Sequence, residues 1–517
     1  MIKIKINSQE IQVENGTSVI KAAEVAGIKV PALCLNEELG HFTSCMLCLV
    51  KDTHNGKLFP SCSVTATEGM SIVTDDNEIK EARQVALELL LSEHVGDCEG
   101  PCQIACPAHM NIPLMNRLIA AGYFYDALVE VKKDIALPAV LGRVCPAPCE
   151  GACRRKSIDS PVSICLLKRF VGDENDVHPF DPLPSMGKTA AVIGAGPAGL
   201  AAAYYLQLKG VQVTLFDKNR VAGGMLRTAI ADDLLPKEVL DCEIASILST
   251  GVKFEGGKEI DADEFRSIRS QYGAVVISTG VISGEIKSWG ISLNDRGIEA
   301  DKNSYQTSEK GVFAIGNSLR FSKLAIRSLG QGKEVAFSVI QYLSGKEPKG
   351  EPQLFNSRFG RLLREELSEY LKESVERERV TPARGLNAGF TKEEVILEAQ
   401  RCLHCDCREI DHCKLRLYSG EYNADQKHFA GNDRRLVTKK FAHDIVYEPQ
   451  KCIKCGICVR MTEKYHEKYG FTFIGRGFDV EIGVPFNESI ESGLAETAKI
   501  VAKACPTGAL SALDIRL

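Results

Sequence analysis

The sequence predicts a multidomain protein that combines α+β and α/β folds, and three observations lead to this prediction. The chain has 517 residues, which is long enough for several domains with cores of their own. Of its 20 cysteines, all except Cys242 fall into tight groups toward the two ends of the chain. Between these groups, a glycine-rich motif follows an apolar strand. Cysteine-rich domains are therefore expected to flank a nucleotide-binding α/β domain.

Composition and patterning exclude several classes of protein. The formal net charge is −5, so no basic surface for nucleic acid is expected. The N-terminal residues alternate between apolar and polar, unlike a signal peptide, and glycines and Pro197 interrupt the most apolar stretch, residues 190–206. We therefore expect a soluble, cytoplasmic protein with no membrane span. In that compartment, clustered cysteines favour metal ligands over disulfides.

Residues 1–78 are predicted to form a [2Fe–2S] domain. A hairpin over residues 2–13 and a helix over residues 17–26 precede four cysteines with the spacing C-x10-C-x2-C-x13-C: Cys34, Cys45, Cys48 and Cys62. Four thiolates match the ligand demand of a [2Fe–2S] cluster, and a zinc site is the weaker alternative. The spacing resembles the [2Fe–2S] domain of the largest peripheral iron–sulfur subunit of respiratory complex I and of iron-only hydrogenases. That resemblance implies a ferredoxin-like β-grasp fold.

Residues 79–180 are predicted to form a helical domain. A helical pattern over residues 79–94 leads into His94 and seven cysteines: Cys98, Cys102, Cys106, Cys145, Cys149, Cys153 and Cys165. Two [4Fe–4S] clusters need eight ligands, so His94 is the natural eighth. A cap at the C-terminal end of the helix is an alternative role for this histidine, and both roles stay open.

Two resemblances bear on how these ligands are grouped. The string LLLSEHVGDC is similar to the complex I subunit, where a histidine and three cysteines hold one cluster. The segment from Cys106-Pro107 to RVCPAPCEGAC resembles the N-terminal domain of the glutamate synthase small subunit, which dihydropyrimidine dehydrogenase shares. Its interleaved pattern implies two clusters, one held by His94, Cys98, Cys102 and Cys153, the other by Cys106, Cys145, Cys149 and Cys165.

Residues 186–346 are predicted to bind a dinucleotide. A buried strand runs into the motif Gly194-x-Gly196-x-x-Gly199, whose glycines permit a tight turn, backbone approach to a pyrophosphate and close packing of helix on strand. A second strand ends at Asp217, which is placed to bind ribose hydroxyls. Four further candidate contacts follow: Gly223, Gly224, Leu226 and Arg227.

Two motifs favour FAD over NAD. The strand that ends at Thr279-Gly280 resembles a turn of the glutathione-reductase-type flavoproteins, and the segment ending at Gly316-Asn317 resembles their second flavin motif, with asparagine where aspartate is usual. In the glutamate synthase small subunit, an NADPH domain lies between these motifs. Here only residues 281–310 separate them, too few for a second dinucleotide domain. The flavin is therefore expected to lack its own nicotinamide site.

The C-terminal third is predicted to carry two [4Fe–4S] clusters. Residues 347–440 form a linker with a charged helix over residues 358–378, a capping box at Thr391 and a compact cysteine group for which zinc is the alternative: Cys402, Cys405, Cys407 and Cys413. Residues 441–517 carry a ferredoxin-like group, which resembles complex I and hydrogenase subunits: Cys452, Cys455, Cys458 and Cys505. Thr462 stands where a two-cluster ferredoxin has a further cysteine, so a single cluster is expected.

These observations predict an electron-transfer subunit of a multi-subunit oxidoreductase, with FAD, one [2Fe–2S] and four [4Fe–4S] clusters. The chain resembles the glutamate-synthase-like subunit of electron-bifurcating transhydrogenases, hydrogenases and formate dehydrogenases. That resemblance implies partners such as complex I-like NADH subunits, a hydrogenase or formate dehydrogenase subunit, or ferredoxin. No residue is identified as a general acid, base or nucleophile. The alternatives are a self-contained NAD(P)H oxidoreductase and a structural scaffold with an inert flavin.

Overall fold

The computed structural model describes residues 1–39, 42–174, 179–282, 284–431 and 434–513. The chain divides into two compact units. The terminal unit comprises Met1–Glu99, Gln353–Lys372 and Cys405–Leu517, and the central unit comprises Gly100–Pro352 and Glu373–His404. Each unit is therefore built from separate stretches of the chain.

The strands are short and distributed over both units. They are β1 (Ile2–Ile6), β2 (Gln9–Val13), β3 (Leu49–Asp52), β4 (Leu58–Pro60), β5 (Ser71–Val73), β6 (Thr189–Ile193), β7 (Gln212–Asp217), β8 (Lys253–Gly256), β9 (Ala274–Ile277), β10 (Leu293–Asn294), β11 (Gly297–Ile298), β12 (Val312–Ala314), β13 (Lys440–Ala442), β14 (Ile445–Tyr447), β15 (Thr472–Ile474), β16 (Glu481–Gly483) and β17 (Leu510–Ala512).

The helices include several of three or more turns. They are α1 (Val19–Val25), α2 (Asn77–Ser92), α3 (Pro101–Ala105), α4 (Ile112–Ala120), α5 (Phe124–Lys132), α6 (Pro138–Val144), α7 (Pro148–Ala152), α8 (Ile164–Asp173), α9 (Pro197–Leu208), α10 (Met225–Thr228), α11 (Lys237–Leu248), α12 (Ala262–Gln271), α13 (Ala325–Leu343), α14 (Leu367–Leu371), α15 (Lys392–Ala399), α16 (Lys414–Glu421), α17 (Ile457–Lys464), α18 (Ile490–Gly493) and α19 (Ala498–Ala504). None of the described helices is long and apolar enough to cross a membrane.

In the terminal unit, the N-terminal residues form a mixed sheet in the order β2-β1-β5-β3-β4. The predicted hairpin is confirmed: β1 and β2 pair antiparallel, with Ile4 opposite Ile11. Alternate residues of β1, Ile4 and Ile6, enter a core with Val19 and Ile72, because side chains of a strand alternate between its two faces. This platform carries the first cysteine group.

The C-terminal part of the terminal unit forms a second core. The strands β13-β14-β17 make an antiparallel sheet, and β15 pairs with β16. Helix α2 begins at its N-cap Asp76, whose carboxylate accepts a hydrogen bond from the Ile79 amide. The helix contributes Leu87 and Leu91 to a core that also contains Tyr447. It ends at Ser92, two residues before His94.

The central unit is built around a parallel sheet in the order β12-β9-β6-β7-β8. Helix α13 packs on α9 at small residues, because a Cβ on Gly332 would lie only 2.6 Å from the Ala198 carbonyl oxygen. Helices α4 to α8 form the predicted helical part. The carboxylate of Glu243 on α11 accepts hydrogen bonds from the Ala139 and Val140 amides at the start of α6. The predicted combination of α+β and α/β folds is confirmed.

The helix predicted over residues 358–378 is wrong in extent. Only a 3₁₀ turn, Arg364–Glu366, and the short α14 are helical there. The buried Glu366 carboxylate accepts hydrogen bonds from the Leu363 and Val437 amides and pairs with Arg434 at 2.5 Å. The segment is therefore held by polar anchors rather than by a continuous apolar helical face.

Candidate functional site

The first cysteine group lies in the terminal unit as four buried thiols. The sulfur atoms of Cys34 and Cys45 are 3.4 Å apart, and Thr43 Oγ1 lies 3.6 Å from Cys62 Sγ. Hydrogen bonds from the thiols of Cys45 and Cys62 lower the pKa of Cys34, and a hydrogen bond with Cys62 contributes to lowering that of Cys48 to about 7. Hydrogen bonding with Cys34 instead raises the pKa of Cys45 and of Cys62. The four predicted [2Fe–2S] ligands are thus together and share their protons unequally.

The ferredoxin-like group also lies in the terminal unit. A small cavity is lined by its four cysteines and by Tyr447, Ile457, Ile482 and Leu510 among others. Burial, together with the charge of Cys505, raises the pKa of Cys452 to about 11, although the Lys454 amide donates to the Cys452 sulfur at 3.3 Å. Four thiols face one apolar pocket, as a shielded cluster requires.

These two groups are neighbours within the terminal unit. The charge of Cys34 contributes to raising the pKa of Cys455, after burial. The Arg460 guanidinium donates to the Cys34 carbonyl at 3.2 Å and lies 5.7 Å from the Phe42 ring. Phe42 stacks on Phe473 with ring centroids 6.0 Å apart. The Arg460 guanidinium and the two aromatic rings therefore lie beside Cys34, on the side of the first cysteine group that faces the second.

A third set in the terminal unit joins Cys98 to Cys407 and Cys413. The Cys407 amide donates to the Cys98 carbonyl at 3.1 Å, and the Ser357 amide donates to Cys98 Sγ at 3.4 Å. Burial raises the pKa of Cys98 to about 11, and the charge of Cys413 acts in the same direction. The described contacts of Cys98 thus differ from the grouping implied by the sequence.

His94 lies two residues beyond the end of α2, in the segment that leads to Cys98. Its Nδ1 atom is buried and has no hydrogen-bond partner among the described residues. Burial and the nearby Lys451 ammonium together lower the pKa of His94 to about 4, against the effect of a hydrogen bond with the Lys451 backbone. The ring is therefore neutral at pH 7, which disfavours the alternative role as a cationic helix cap, since α2 has already ended at Ser92.

In the central unit, four predicted ligands surround Lys168. They are Cys106, Cys145, Cys149 and Cys165, and the Lys168 ammonium lies 3.9 Å from Cys165 Sγ. Burial alone would lower the pKa of Lys168, but the cysteine charges around it raise that pKa. Hydrogen bonding with Cys165 raises the pKa of Cys145 above its ordinary value. The structure brings together the four cysteines that the sequence analysis grouped.

Three other cysteines of the central unit lie on elements that contact one another. Helix α3, which carries Cys102, packs against α7, which ends at Cys153. The Arg155 guanidinium donates to the Arg401 carbonyl at 3.0 Å, so the segment that leads into Cys402 is anchored two residues from Cys153. Among the residues described, no three histidine, cysteine, aspartate or glutamate side chains are arranged as ligands of a single metal ion.

A cleft of about 590 Å³ opens at the glycine-rich motif of the central unit. Eight of the predicted dinucleotide contacts line it: Gly194, Gly196, Asp217, Gly224, Leu226, Thr279, Gly280 and Asn317. The N-terminus of α9 begins at this edge of the sheet, where backbone amides favour an anion. The Asp217 carboxylate accepts a hydrogen bond from the Ala195 amide at 2.6 Å, which fixes the acid beside the motif.

Four predicted contacts are not among the residues that line this cleft: Gly199, Gly223, Gly316 and Arg227. Gly199 instead packs against the backbone, since a Cβ there would overlap the Gly194 carbonyl oxygen. The Arg227 side chain pairs with Asp241 and donates to the Ala222 carbonyl at 2.9 Å. These residues shape the motif rather than form its surface.

Trp289 lies in the cleft wall and was not predicted as a site residue from the sequence. It is the chain's one tryptophan, lies in the segment between the two flavin-like motifs, and stacks on Phe265 with ring centroids 4.5 Å apart. Its Nε1 atom is buried without a hydrogen-bond partner in the described part of the chain. The signal in the sequence that could have identified this residue is that the chain has a single tryptophan. Apart from Ser283, this segment folds as a 3₁₀ turn, Gly284–Trp289, and the β10–β11 pair.

Four family models match the chain in sequence order. Residues 1–77 match a 2Fe-2S iron-sulfur cluster binding domain, and residues 77–179 match dihydropyrimidine dehydrogenase domain II, 4Fe-4S cluster. Residues 192–253 match an NAD(P)-binding Rossmann-like domain, and residues 443–511 match the ferredoxin-like domain of NADH-quinone oxidoreductase subunit 3. The chain therefore contains iron–sulfur domains of both types and a nucleotide-binding Rossmann-like domain.

Curated relatives match the chain over part of its length. It is 37% identical over 209 residues to NADPH-Fe(3+) oxidoreductase subunit beta of Geobacter sulfurreducens, covering 38% of this chain and 30% of that protein. It is 35% identical over 223 residues to NADP(+)-dependent formate dehydrogenase subunit beta of Moorella thermoacetica, covering 37% and 32%. It is 37% identical over 202 residues to the glutamate synthase [NADPH] small chain of Bacillus subtilis, covering 36% and 40%. The matched region thus spans about a third of these relatives' length.

Proposed function

We propose that the chain is an electron-transfer subunit of a multi-subunit oxidoreductase, carrying FAD, one [2Fe–2S] and four [4Fe–4S] clusters. The matches to 2Fe-2S and 4Fe-4S domain models support iron–sulfur clusters over zinc. The named relatives are subunits of oxidoreductases, which supports the same class of activity. Reduced thiols in this number suit a cytoplasmic location.

One observation carries this proposal: helix α13 contacts both the nucleotide cleft and the loop that carries Cys106. Its residues Ala325 and Ser328 line the cleft. Two residues further on, a Cβ at Gly330 would lie only 2.6 Å from the carbonyl oxygen of Pro107, next to Cys106. Two helical residues span about 3 Å along the axis. A group in the cleft and a cluster at Cys106 would therefore be separated by little more than one helix.

The cleft residues fit a flavin dinucleotide. Beyond its own chain neighbours, no heavy atom of a described residue lies within 4 Å of where a Cβ on Gly196 would be, which leaves room for phosphates at the start of α9. The cleft continues from Asp217 to Asn317, whose carboxamide oxygen accepts a hydrogen bond from the Ser322 amide at 2.9 Å. Bound FAD would supply the exchange between two-electron and one-electron chemistry. The protein's part is to hold the dinucleotide and to place Cys106 behind the cleft.

The direct test is anaerobic stopped-flow of the reconstituted chain. The segment between residues 281 and 310 holds no dinucleotide domain in its described part, so nothing there would fix a nicotinamide against the flavin. We expect no flavin bleaching within seconds by NADH or NADPH alone, and bleaching once a low-potential ferredoxin or a nicotinamide-binding partner is added. FAD binding itself should quench the emission of Trp289 in the cleft wall.

The second candidate is a self-contained NAD(P)H oxidoreductase. The match of residues 192–253 to an NAD(P)-binding Rossmann-like model favours it. Rapid bleaching by micromolar NADH or NADPH in the stopped-flow experiment would establish this candidate and overturn the relay. Partners remain part of the proposal: we expect a nicotinamide- or ferredoxin-using subunit on one side and a catalytic subunit, of the formate dehydrogenase, hydrogenase or transhydrogenase type, on the other.

A further inference from the structure

Some cysteines that are far apart in the sequence lie close together in the fold. Cys98 and Cys407 are separated by most of the chain, yet the Cys407 amide donates to the Cys98 carbonyl at 3.1 Å within the terminal unit. The Cys98 amide in turn donates to the Ser357 carbonyl at 3.1 Å, and the Cys98 sulfur accepts from the Ser357 amide. Cys98 is thus fixed by elements of the terminal unit.

Cys413 joins the same set through packing of helices. It is the N-cap of α16, and its sulfur accepts a hydrogen bond from the Arg416 amide at 3.4 Å. Helix α16 packs on α2, the helix that leads into Cys98. The Arg416 guanidinium pairs with Glu99 at 2.8 Å, which ties the residue after Cys98 to the first turn of α16. Three thiols, Cys98, Cys407 and Cys413, are therefore brought to one place by two independent connections.

His94 supplies the fourth donor that three thiols need. The Val95 amide donates to the Gln450 carbonyl at 2.9 Å, so the turn that carries His94 is fixed against the neighbouring loop. The buried Nδ1 has no hydrogen-bond partner among the residues that the structure describes. A buried nitrogen without a partner is costly unless a ligand occupies its lone pair. Neutral imidazole nitrogen is an accepted ligand donor.

We propose that His94, Cys98, Cys407 and Cys413 hold one [4Fe–4S] cluster in the terminal unit, so that Cys102, Cys153 and Cys402 belong to a different cluster. This inference rests on the proposed cluster content and concerns which residues share a cluster. It replaces the grouping in which Cys98 joins Cys102 and Cys153, and in which Cys402 joins Cys407 and Cys413.

The central unit supports the second half of this regrouping. The buried side chain of Arg401 pairs with Glu398 at 2.8 Å and with Asp159 at 2.9 Å. Arg155 holds the Arg401 carbonyl, so the residue before Cys402 and the residues after Cys153 form one buried polar network. Cys102 lies on α3, which packs on the helix that ends at Cys153.

The test measures iron in pairs of substitutions in the full-length, anaerobically reconstituted chain. If two cysteines bind the same cluster, the second substitution removes nothing more, so Cys98→Ala with Cys407→Ala should lose about four irons, the same as either single variant. The pair Cys102→Ala with Cys402→Ala should behave in the same way. By contrast, Cys98→Ala with Cys102→Ala should lose about eight irons. Cys242→Ala is the matched control, because its exposed thiol lies outside every group.

The opposite result would overturn the regrouping. In that case the Cys98→Ala/Cys407→Ala variant would lose about eight irons and the Cys98→Ala/Cys102→Ala variant about four. If a double variant does not fold, the single serine variants decide by EPR. Cys98→Ser and Cys407→Ser should alter the same signal, and Cys102→Ser and Cys402→Ser a second one. His94→Ala should alter the first signal alone. A wild-type chain that holds far fewer than about 18 irons would instead contradict the proposed cluster content.

Discussion

Two buried lysines, one in each unit, lie beside cysteine groups in opposite electrostatic settings. Lys168 in the central unit is 3% exposed, and its described charge contacts are all to cysteines. Lys451 in the terminal unit is 4% exposed, lies beside Cys407 and forms an ion pair with Glu448 at 2.5 Å. Net charge near a cluster is one determinant of its reduction potential. We therefore expect Lys168 to tune a reduction potential, whereas Lys451 is largely neutralised by its own carboxylate partner, Glu448.

The largest expected effect comes from breaking the ion pair of the terminal unit. Lys451→Met leaves Glu448 as a buried charge without its partner, so we expect a loss of about 3–5 kcal/mol in the free energy of unfolding. Anaerobic urea unfolding measures it. The double variant Lys451→Met/Glu448→Gln should recover most of the loss, because it removes both charges. A double variant as unstable as the single one would show that the lysine acts through the cysteines instead.

Glu243 in the central unit is a buried carboxyl group whose nearby Lys132 makes no direct ion pair with it. Lys132 instead donates to Ser246 at 3.3 Å. Burial raises the pKa of Glu243 to about 7, and the Lys132 charge opposes this. The folded chain therefore binds this proton more tightly than the unfolded chain. The resulting stability is present below the ordinary pKa of 4.5 and is lost as pH rises to about 7.

The measurement is the dependence of anaerobic urea unfolding on pH. Wild-type stability should fall by up to about 3 kcal/mol between pH 4.5 and pH 7 through this group. Glu243→Gln should remove that slope, while its single amide oxygen keeps accepting from one of the two amides at the start of α6. An unchanged slope in the variant would assign the pH dependence to other groups.

Substitution of Lys168 is expected to give the smallest change in free energy, and that change should be confined to the adjacent cluster. At about 4 Å from a sulfur, removing its positive charge should lower the potential of the adjacent cluster by on the order of 100 mV, since the reduced cluster carries more negative charge. An EPR-monitored redox titration of Lys168→Met measures the shift. Lys168→Arg should keep most of the potential, and the exposed Lys209→Met is the matched control. Equal shifts for Lys168→Met and Lys209→Met would show that Lys168 has no specific effect on the cluster potential.

Local sequence patterns predicted local structure well. The hairpin at residues 2–13 and the capping box at Thr391 depend on neighbours in the chain, and both are present. The glycine motif likewise places Gly194 and Gly196 in the cleft. The long helix at residues 358–378 was overpredicted, because the pattern of charges could not reveal that Glu366 would be buried against Arg434.

The spacing of cysteines along the chain could not predict contacts between residues that are far apart in the sequence. Cysteine spacing favoured one compact group at residues 402–413, whereas the structure joins Cys407 to Cys98 and anchors the residue before Cys402 beside Cys153. Those choices depend on which helices pack together, such as α16 on α2. Trp289 was missed for the same reason, since only the fold brings this residue to the cleft.

The division of the terminal unit into three separate stretches has a consequence for biosynthesis. Its first stretch ends at Glu99 and its last begins at Cys405, so Cys98 leaves the ribosome roughly 300 residues before Cys407. At about 5–20 residues per second, that interval lasts on the order of 15–60 s. During this time the early thiols are exposed to oxidation and to adventitious metals. Delivery of the cluster proposed for Cys98, Cys407 and Cys413 should therefore follow translation of Cys413, and a ribosome-bound chain truncated before Cys405 should carry a Cys98 thiol that a maleimide can label.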